Sequence, residues 1–163
     1  MRTFPLADAA EAGDDGRVHD LLHRDPAAVN EPRDDGWTPL HLSAFYGRTD
    51  AAELLLTHGA DANVLSTNAM ANRPLHAAVA GRHLPLVWLL LRHGADPNVR
   101  QHGGWTPLHG AAQHGDIEIA RTLLEYGADP DTRSDDTRNA SDLAMAGGHG
   151  EVVELLKRAK ARE

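Results

Sequence analysis

The 163-residue chain contains no cysteine. A disulfide framework, a thiolate metal site and a cysteine nucleophile are therefore excluded. Aromatic residues are scarce: Phe4, Phe45, Tyr46, Tyr126 and three Trp make up 4% of the chain. The 41% apolar fraction rests mostly on Ala, Leu and Val, which suits small, closely packed helices. Long apolar runs are missing too. The longest, Leu84 to Leu91, falls far short of the roughly 20 residues of a membrane-spanning helix, and no apolar stretch precedes the first acids. The expectation is a soluble cytoplasmic protein with no membrane partner. Positive charge is in deficit, with a formal net charge of −8. No Lys/Arg stripe is available to displace counterions from phosphates, so nucleic acid is not an expected partner. The acid excess is concentrated in residues 1–36, which hold nine acids against four bases. A solvated face is the ordinary meaning of such a run; the functional alternative is a patch that steers a basic partner.

What the chain does have is an internal period. Thr38-Pro39-Leu40-His41 returns as Arg73-Pro74-Leu75-His76 and as Thr106-Pro107-Leu108-His109, at steps of 35 and 33 residues. Gly59-Ala60-Asp61, Gly94-Ala95-Asp96 and Gly127-Ala128-Asp129 keep the same steps. Each tetrapeptide reads as a helix start: Thr38 and Thr106 can accept an orphan backbone N–H, and the proline after them needs no donor at the first helical position. Gly47 and Gly115 then mark helix ends, and Gly59, Gly94 and Gly127 stop a second helix in each unit.

These motifs resemble the ankyrin repeat, whose period is about 33 residues and whose signature is T-P-L-H-x-A. The resemblance implies an all-α ankyrin-repeat solenoid: stacked helix-turn-helix pairs with β-hairpin or loop fingers. It predicts a single domain over 1–163, with repeats at about 4–32, 33–67, 68–100, 101–133 and 134–160. The first and last resemble capping repeats, Phe4-Pro5-Leu6-Ala7 opening one and Asn139-Ala140-Ser141-Asp142-Leu143-Ala144 the other. With both caps present, no room is expected for a separate catalytic domain. The third repeat departs most from the pattern. Arg73 replaces the capping Thr, Arg82 replaces Gly, and two extra residues lengthen the finger around Ser66 to Met70. A missing cap is worth about 1 kcal/mol, which predicts a less rigid repeat.

The chemistry-bearing residues yield little else. Of eleven histidines, His41, His76 and His109 share one repeat position, where the resemblance implies hydrogen bonds between neighbouring turns. His83 and His149 share a second position and His58 and His93 a third. His19, His23, His102 and His114 have no family role; His19 and His23 form an i, i+4 pair without an acidic partner that would complete a metal motif. Ser43, Ser66, Ser134 and Ser141 lack a nucleophile elbow, and the glycine pairs lack a phosphate-binding lysine. Neither enzymatic activity, a cofactor nor a bound metal is expected.

What the resemblance implies instead is an unidentified partner protein held on the fingers and the inner helices, with the chain acting as a monomer that regulates or inhibits it. The matching positions are Trp37, Asn72 and Trp105 before the capping residue, and Phe45-Tyr46, Ala80-Gly81 and Gln113-His114 at the ends of the inner helices. Asp34 and Asp35 would lie on a finger. Met70 would project from the long one, and Ala80 with Gly81 would leave a shallow notch for a partner side chain. Trp88 faces outward from a second helix, covering a neighbour or marking another contact. The competing readings are a structural or self-associating repeat protein, and a metal-binding or enzymatic protein using the unassigned histidines.

Overall fold

A helix of seven to eleven residues is too short to persist alone in water, so its apolar face must be covered by neighbours. The computed structural model describes residues 3–161, and among them the chain forms ten α-helices in five pairs. These are α1 (Pro5–Ala12) with α2 (Asp15–Arg24), α3 (Pro39–Phe45) with α4 (Thr49–Thr57), α5 (Pro74–Ala80) with α6 (Leu84–Arg92), α7 (Pro107–His114) with α8 (Ile117–Glu125), and α9 (Ala140–Ala146) with α10 (Gly150–Lys160). The chain divides into two compact units, Met1–Ala95 and Asp96–Glu163. In the first, α1 packs on α3 and α3 on α5, with α2, α4 and α6 forming a second row. In the second, α7 packs on α9 and α8 on α10.

The tetrapeptides open their helices as their chemistry predicts. Pro39, Pro74 and Pro107 occupy the first turns of α3, α5 and α7. Thr38 caps α3, accepting from the His41 N–H. The histidine then returns the favour. Its Nδ1 accepts from the Thr38 hydroxyl at 2.8 Å, and its Nε2–H donates to the carbonyl of Asn72 in the next repeat at 3.2 Å. In the second unit His109 repeats this, with the Thr106 hydroxyl at 2.7 Å and the Arg138 carbonyl at 3.1 Å. Both imidazoles are buried, and both are held in the neutral form with the proton on Nε2.

Asparagines form a second cross-link between repeats. Asn30 Oδ1 accepts from the Asp61 N–H at 3.0 Å, and Asn63 Nδ2 donates to the Gly94 carbonyl at 2.8 Å. In the second unit Asn98 grips both the Gly127 carbonyl and the Asp129 N–H. The second-helix histidines supply a third. His83 Nε2 donates to the Phe45 carbonyl and His149 Nε2 to the Gln113 carbonyl, each at 3.0 Å.

The fingers are turns rather than strands. Each closes on one main-chain bond, such as Arg33 N–H to Trp37 O at 2.8 Å or Ser134 N–H to Arg138 O at 2.9 Å, and no β-ladder forms among the described residues. The β-hairpin form of the expectation therefore gives way to its loop form. In the third repeat the closing pair is Ser66 and Asn72, so the insertion sits within that turn.

That repeat also carries backbone strain. Gly47, Gly115 and Gly148 end α3, α7 and α9 in the left-handed region, and at the equivalent position after α5 Arg82 holds φ 61. An L-residue there costs about 1–2 kcal/mol from the Cβ–carbonyl approach. Arg82→Gly is expected to raise unfolding stability by about 1 kcal/mol, seen as a higher urea midpoint at unchanged slope. A lower midpoint would mean that the Arg82 side chain contributes more than its backbone costs.

Candidate partner-binding face

The first unit brings four of the expected contact residues into one strip. Asp35 Oδ1 accepts the Trp37 N–H at 3.0 Å, which sets the direction in which Trp37 leaves the finger. The Trp37 ring meets Phe45 edge-to-face at 5.4 Å, and Phe45 meets Tyr46 in the same manner at 5.2 Å. Such pairs gain from quadrupole alignment and hold each other rigid. Trp37 and Phe45 are half-buried, whereas Tyr46 is 43% exposed. Trp37 also lies 5.9 Å from His41, so the strip is anchored on the buried capping imidazole.

The finger tips extend this strip. The Asp35 carbonyl accepts from Asn68 Nδ2 at 3.1 Å, and the Gly36 carbonyl from the Thr67 N–H at 3.0 Å. Gly36, at φ 84, allows no side chain here, since a Cβ would lie 3.0 Å from the Thr67 carbonyl carbon and collide with the Asn68 nitrogen. The acidic tip of one finger thus lies against the Asn68–Met70 turn of the next. Met70 is 50% exposed there, and Asp34 is exposed beside Asp35.

Two expected contact residues belong to the scaffold instead. Asn72 is buried: its carbonyl accepts from His41, its N–H donates to Ser66 Oγ at 3.1 Å, and its side-chain Oδ1 is buried without a hydrogen-bond partner. Gly81 leaves no notch on its own surface. A Cβ there would collide with the Phe45 carbonyl oxygen and come 2.6 Å from His83 Cδ2, so its smallness admits the His83 ring. Ala80 beside it is exposed.

In the second unit, Trp105 is half-buried with its ring 5.9 Å from His109, the counterpart of Trp37 and His41. Gln113 and His114 are exposed at the end of α7, with His114 Nδ1 3.8 Å from Asp116 Oδ2. A cleft of about 740 Å³ between α8 and α10 is lined by Ile117, Arg121, Leu124, Leu155 and Arg158 among others, and by none of the expected contact residues.

Residues not singled out from the sequence surround the finger base. Arg33 holds Glu11 at 2.5 Å and Asp35 at 2.7 Å, with Asp8 at 3.6 Å. Arg33 keeps Asp35 below the usual carboxylate range, and the two acids raise the Arg33 guanidinium against its own desolvation. The acid excess of residues 1–36 was the available signal, but it does not say which acids converge.

Two histidines without a family role, His19 and His23, lie elsewhere, beside His58. His19, His23 and His58 run in a row, with ring centroids 4.2 and 5.7 Å apart. Among the described residues no group of three or more His, Asp or Glu side chains is arranged to hold a metal ion. Trp88, 48% exposed on α6, carries the Arg92 guanidinium 4.5 Å from its ring centroid.

Residues 6–101 match the family model of ankyrin repeats in three copies, and residues 103–135 match that of a single ankyrin repeat. Neurogenic locus notch homolog protein 1 of Homo sapiens is 41% identical over 63 residues, and that of Danio rerio 44% over 63 residues. Each match covers 39% of this chain and 2% of the relative. BCL-6 corepressor-like protein 1 of Homo sapiens is 37% identical over 83 residues, covering 51% of this chain and 4% of its own length. The chain therefore spans a small part of the curated relatives it matches. Its tetrapeptide helix starts, its histidine and asparagine cross-links and the family match over more than half its length agree: the chain belongs to the ankyrin-repeat family.

Proposed function

We propose that this chain is a non-enzymatic module that binds a partner protein on its fingers and inner helices, and that the strip Asp34, Asp35, Trp37, Phe45, Tyr46 with Met70 carries most of that contact. Ankyrin repeats are generally protein–protein interaction modules and the family is typically non-enzymatic. The observation that supports this face is the exposure of Tyr46 at the end of an edge-to-face aromatic series. Tyr46 is 43% exposed while Trp37 and Phe45 fix its place. A pre-positioned aromatic loses little side-chain entropy on contact, and Trp and Tyr are frequent interface hot spots. In this reading Ala80, Trp105, Gln113 and His114 are secondary contacts, while Asn72 and Gly81 act through the scaffold. The module works as a monomer that regulates or inhibits its partner. No helix among the described residues is long and apolar enough to cross a membrane.

The test is affinity capture from native cell lysate with wild type and a Phe45→Ala, Tyr46→Ala double variant, both checked for helical content. A protein retained by wild type and lost by the variant is the expected result. Capture that survives the double substitution would remove the aromatic strip from the contact surface.

A further inference from the structure

The electrostatics of the same strip indicate what kind of segment it takes. Arg33 lies at the finger base with three carboxylates within ion-pair distance, and Asp34 is exposed on the adjoining tip. Arg33 satisfies two of them closely. Its Nη1 donates to Glu11 and its Nη2 to Asp35, while Asp8 stands off at 3.6 Å and is 58% exposed. The other cation here, Arg48, spends its Nε on the Glu11 carbonyl at 3.0 Å rather than on a carboxylate. Asp8, Glu11, Asp34 and Asp35 thus outnumber Arg33 and Arg48 four to two. Arg33 is itself largely covered, with 21% side-chain exposure, so solvent meets the three exposed carboxylates Asp8, Asp34 and Asp35 against one exposed cation, Arg48.

Next to this negative end begins the aromatic series. Asp35 is bonded to the Trp37 N–H, and Trp37 leads through Phe45 to Tyr46. An approaching chain meets carboxylates at one end and ring edges and faces at the other, two residue positions apart at the junction. An anionic segment would be repelled at the finger. A purely apolar one would leave Asp8 and Asp34 desolvated without a counter-charge, which is costly. A cationic side chain instead finds an ion-pair partner at Asp8 or Asp34, with the aromatic series starting beyond Asp35 for the apolar side chains that follow it.

We infer that the strip takes a peptide segment of a partner protein in which Arg or Lys is followed by apolar side chains, the cation sitting at Asp8 or Asp34 and an apolar side chain against Phe45 and Tyr46. This rests on the face proposed above and specifies its occupant. The carboxylates steer the encounter and fix its direction, and the aromatic series supplies contact area. Binding of this type weakens with salt because the carboxylates are exposed.

The test uses the whole chain and two labelled synthetic 12-residue peptides, one alternating Arg and Leu, the other Glu and Leu. Binding is followed by fluorescence anisotropy at low and at physiological salt. The Arg–Leu peptide is expected to bind and the Glu–Leu peptide not to. Asp8→Asn with Asp34→Asn is expected to weaken binding roughly five- to tenfold, with a flatter salt dependence, as for two exposed ion pairs. Tyr46→Ala is expected to weaken binding with the salt dependence kept. Neutralising Glu125 and Glu151 in the second unit, as Glu125→Gln with Glu151→Gln, is expected to change it less than about twofold. Equal weakening by that control pair, or equal binding of the Glu–Leu peptide, overturns the inference. If the Glu–Leu peptide binds as well and Tyr46→Ala abolishes both, the cationic occupant is wrong while the aromatic face stands. If a cellular partner is captured independently of Phe45 and Tyr46, the face itself is wrong.

Discussion

Lowering the pH from 7 to 4 is expected to remove about 3 kcal/mol of stability through His41 alone. Burial is the dominant cause that lowers this imidazole from 6.5 to about 4, opposed by the bond to Asn72 and by the charge of Asp35. In the unfolded chain it gains its proton near pH 6.5, while the folded protein keeps it neutral to about pH 4. Between those values the unfolded state holds more protons, so stability falls as the pH falls through the window and levels off, for this group, below about 4. At about 1.4 kcal/mol per pH unit the loss is of the stated order. His109 is lowered in the same direction by burial and adds to the slope. The geometry explains why protonation is not accommodated: Nδ1 faces the Thr38 hydroxyl at 2.8 Å and the Thr38 N–H at 3.4 Å, so a proton there would meet a donor. Urea unfolding at several pH values, for wild type and His41→Leu, measures this. The variant should be less stable at pH 7, and its curve should be flatter between pH 6.5 and 4. Parallel curves would show that His41 does not carry the acid sensitivity.

Leu75→Ala is expected to cost about 3 kcal/mol, within the range for deleting a fully buried leucine side chain. Leu40, Leu75 and Leu108 occupy the same repeat position with 0%, 1% and 1% exposure. Leu75 follows Pro74 in the first turn of α5, the helix that packs on α3, and a cavity there weakens contacts in two successive repeats at once. Neighbouring repeats depend on each other because each pair is too small to bury its own apolar face. Leu65→Ala is the matched comparison. Leu65 is 49% exposed near the finger of the same repeat, and its truncation should stay within about 0.5 kcal/mol. Denaturant midpoints with unchanged slope would give both values. A loss below about 1 kcal/mol for Leu75→Ala would mean that the core closes over the space.

The helix starts were readable residue by residue, because proline and threonine act on the backbone groups nearest to them. The helix ends were readable at Gly47 and Gly115 for the same reason, whereas the left-handed backbone of Arg82, where the pattern has Gly, emerged only from the structure. The aromatic strip was partly legible: Trp37, Phe45 and Tyr46 were placed on one face by the repeat register, and in the structure their rings meet edge-to-face. Register could not reveal that Asn72 is buried under the His41 bond, although Trp37 and Trp105 stand at the same position. Nor could it reveal that Gly81 is small for the sake of the His83 ring.

The sequence by itself thus determined the repeat period, the helix boundaries and the capping chemistry, all of which follow from interactions within a few residues along the chain. Tertiary structure decided which side of each motif meets solvent and which acids converge. His41 reaches Asn72, His83 reaches Phe45, and Arg33 gathers Asp8 and Glu11. These partners lie on other helices or fingers, and only the stacking of one repeat on the next brings them within bonding distance.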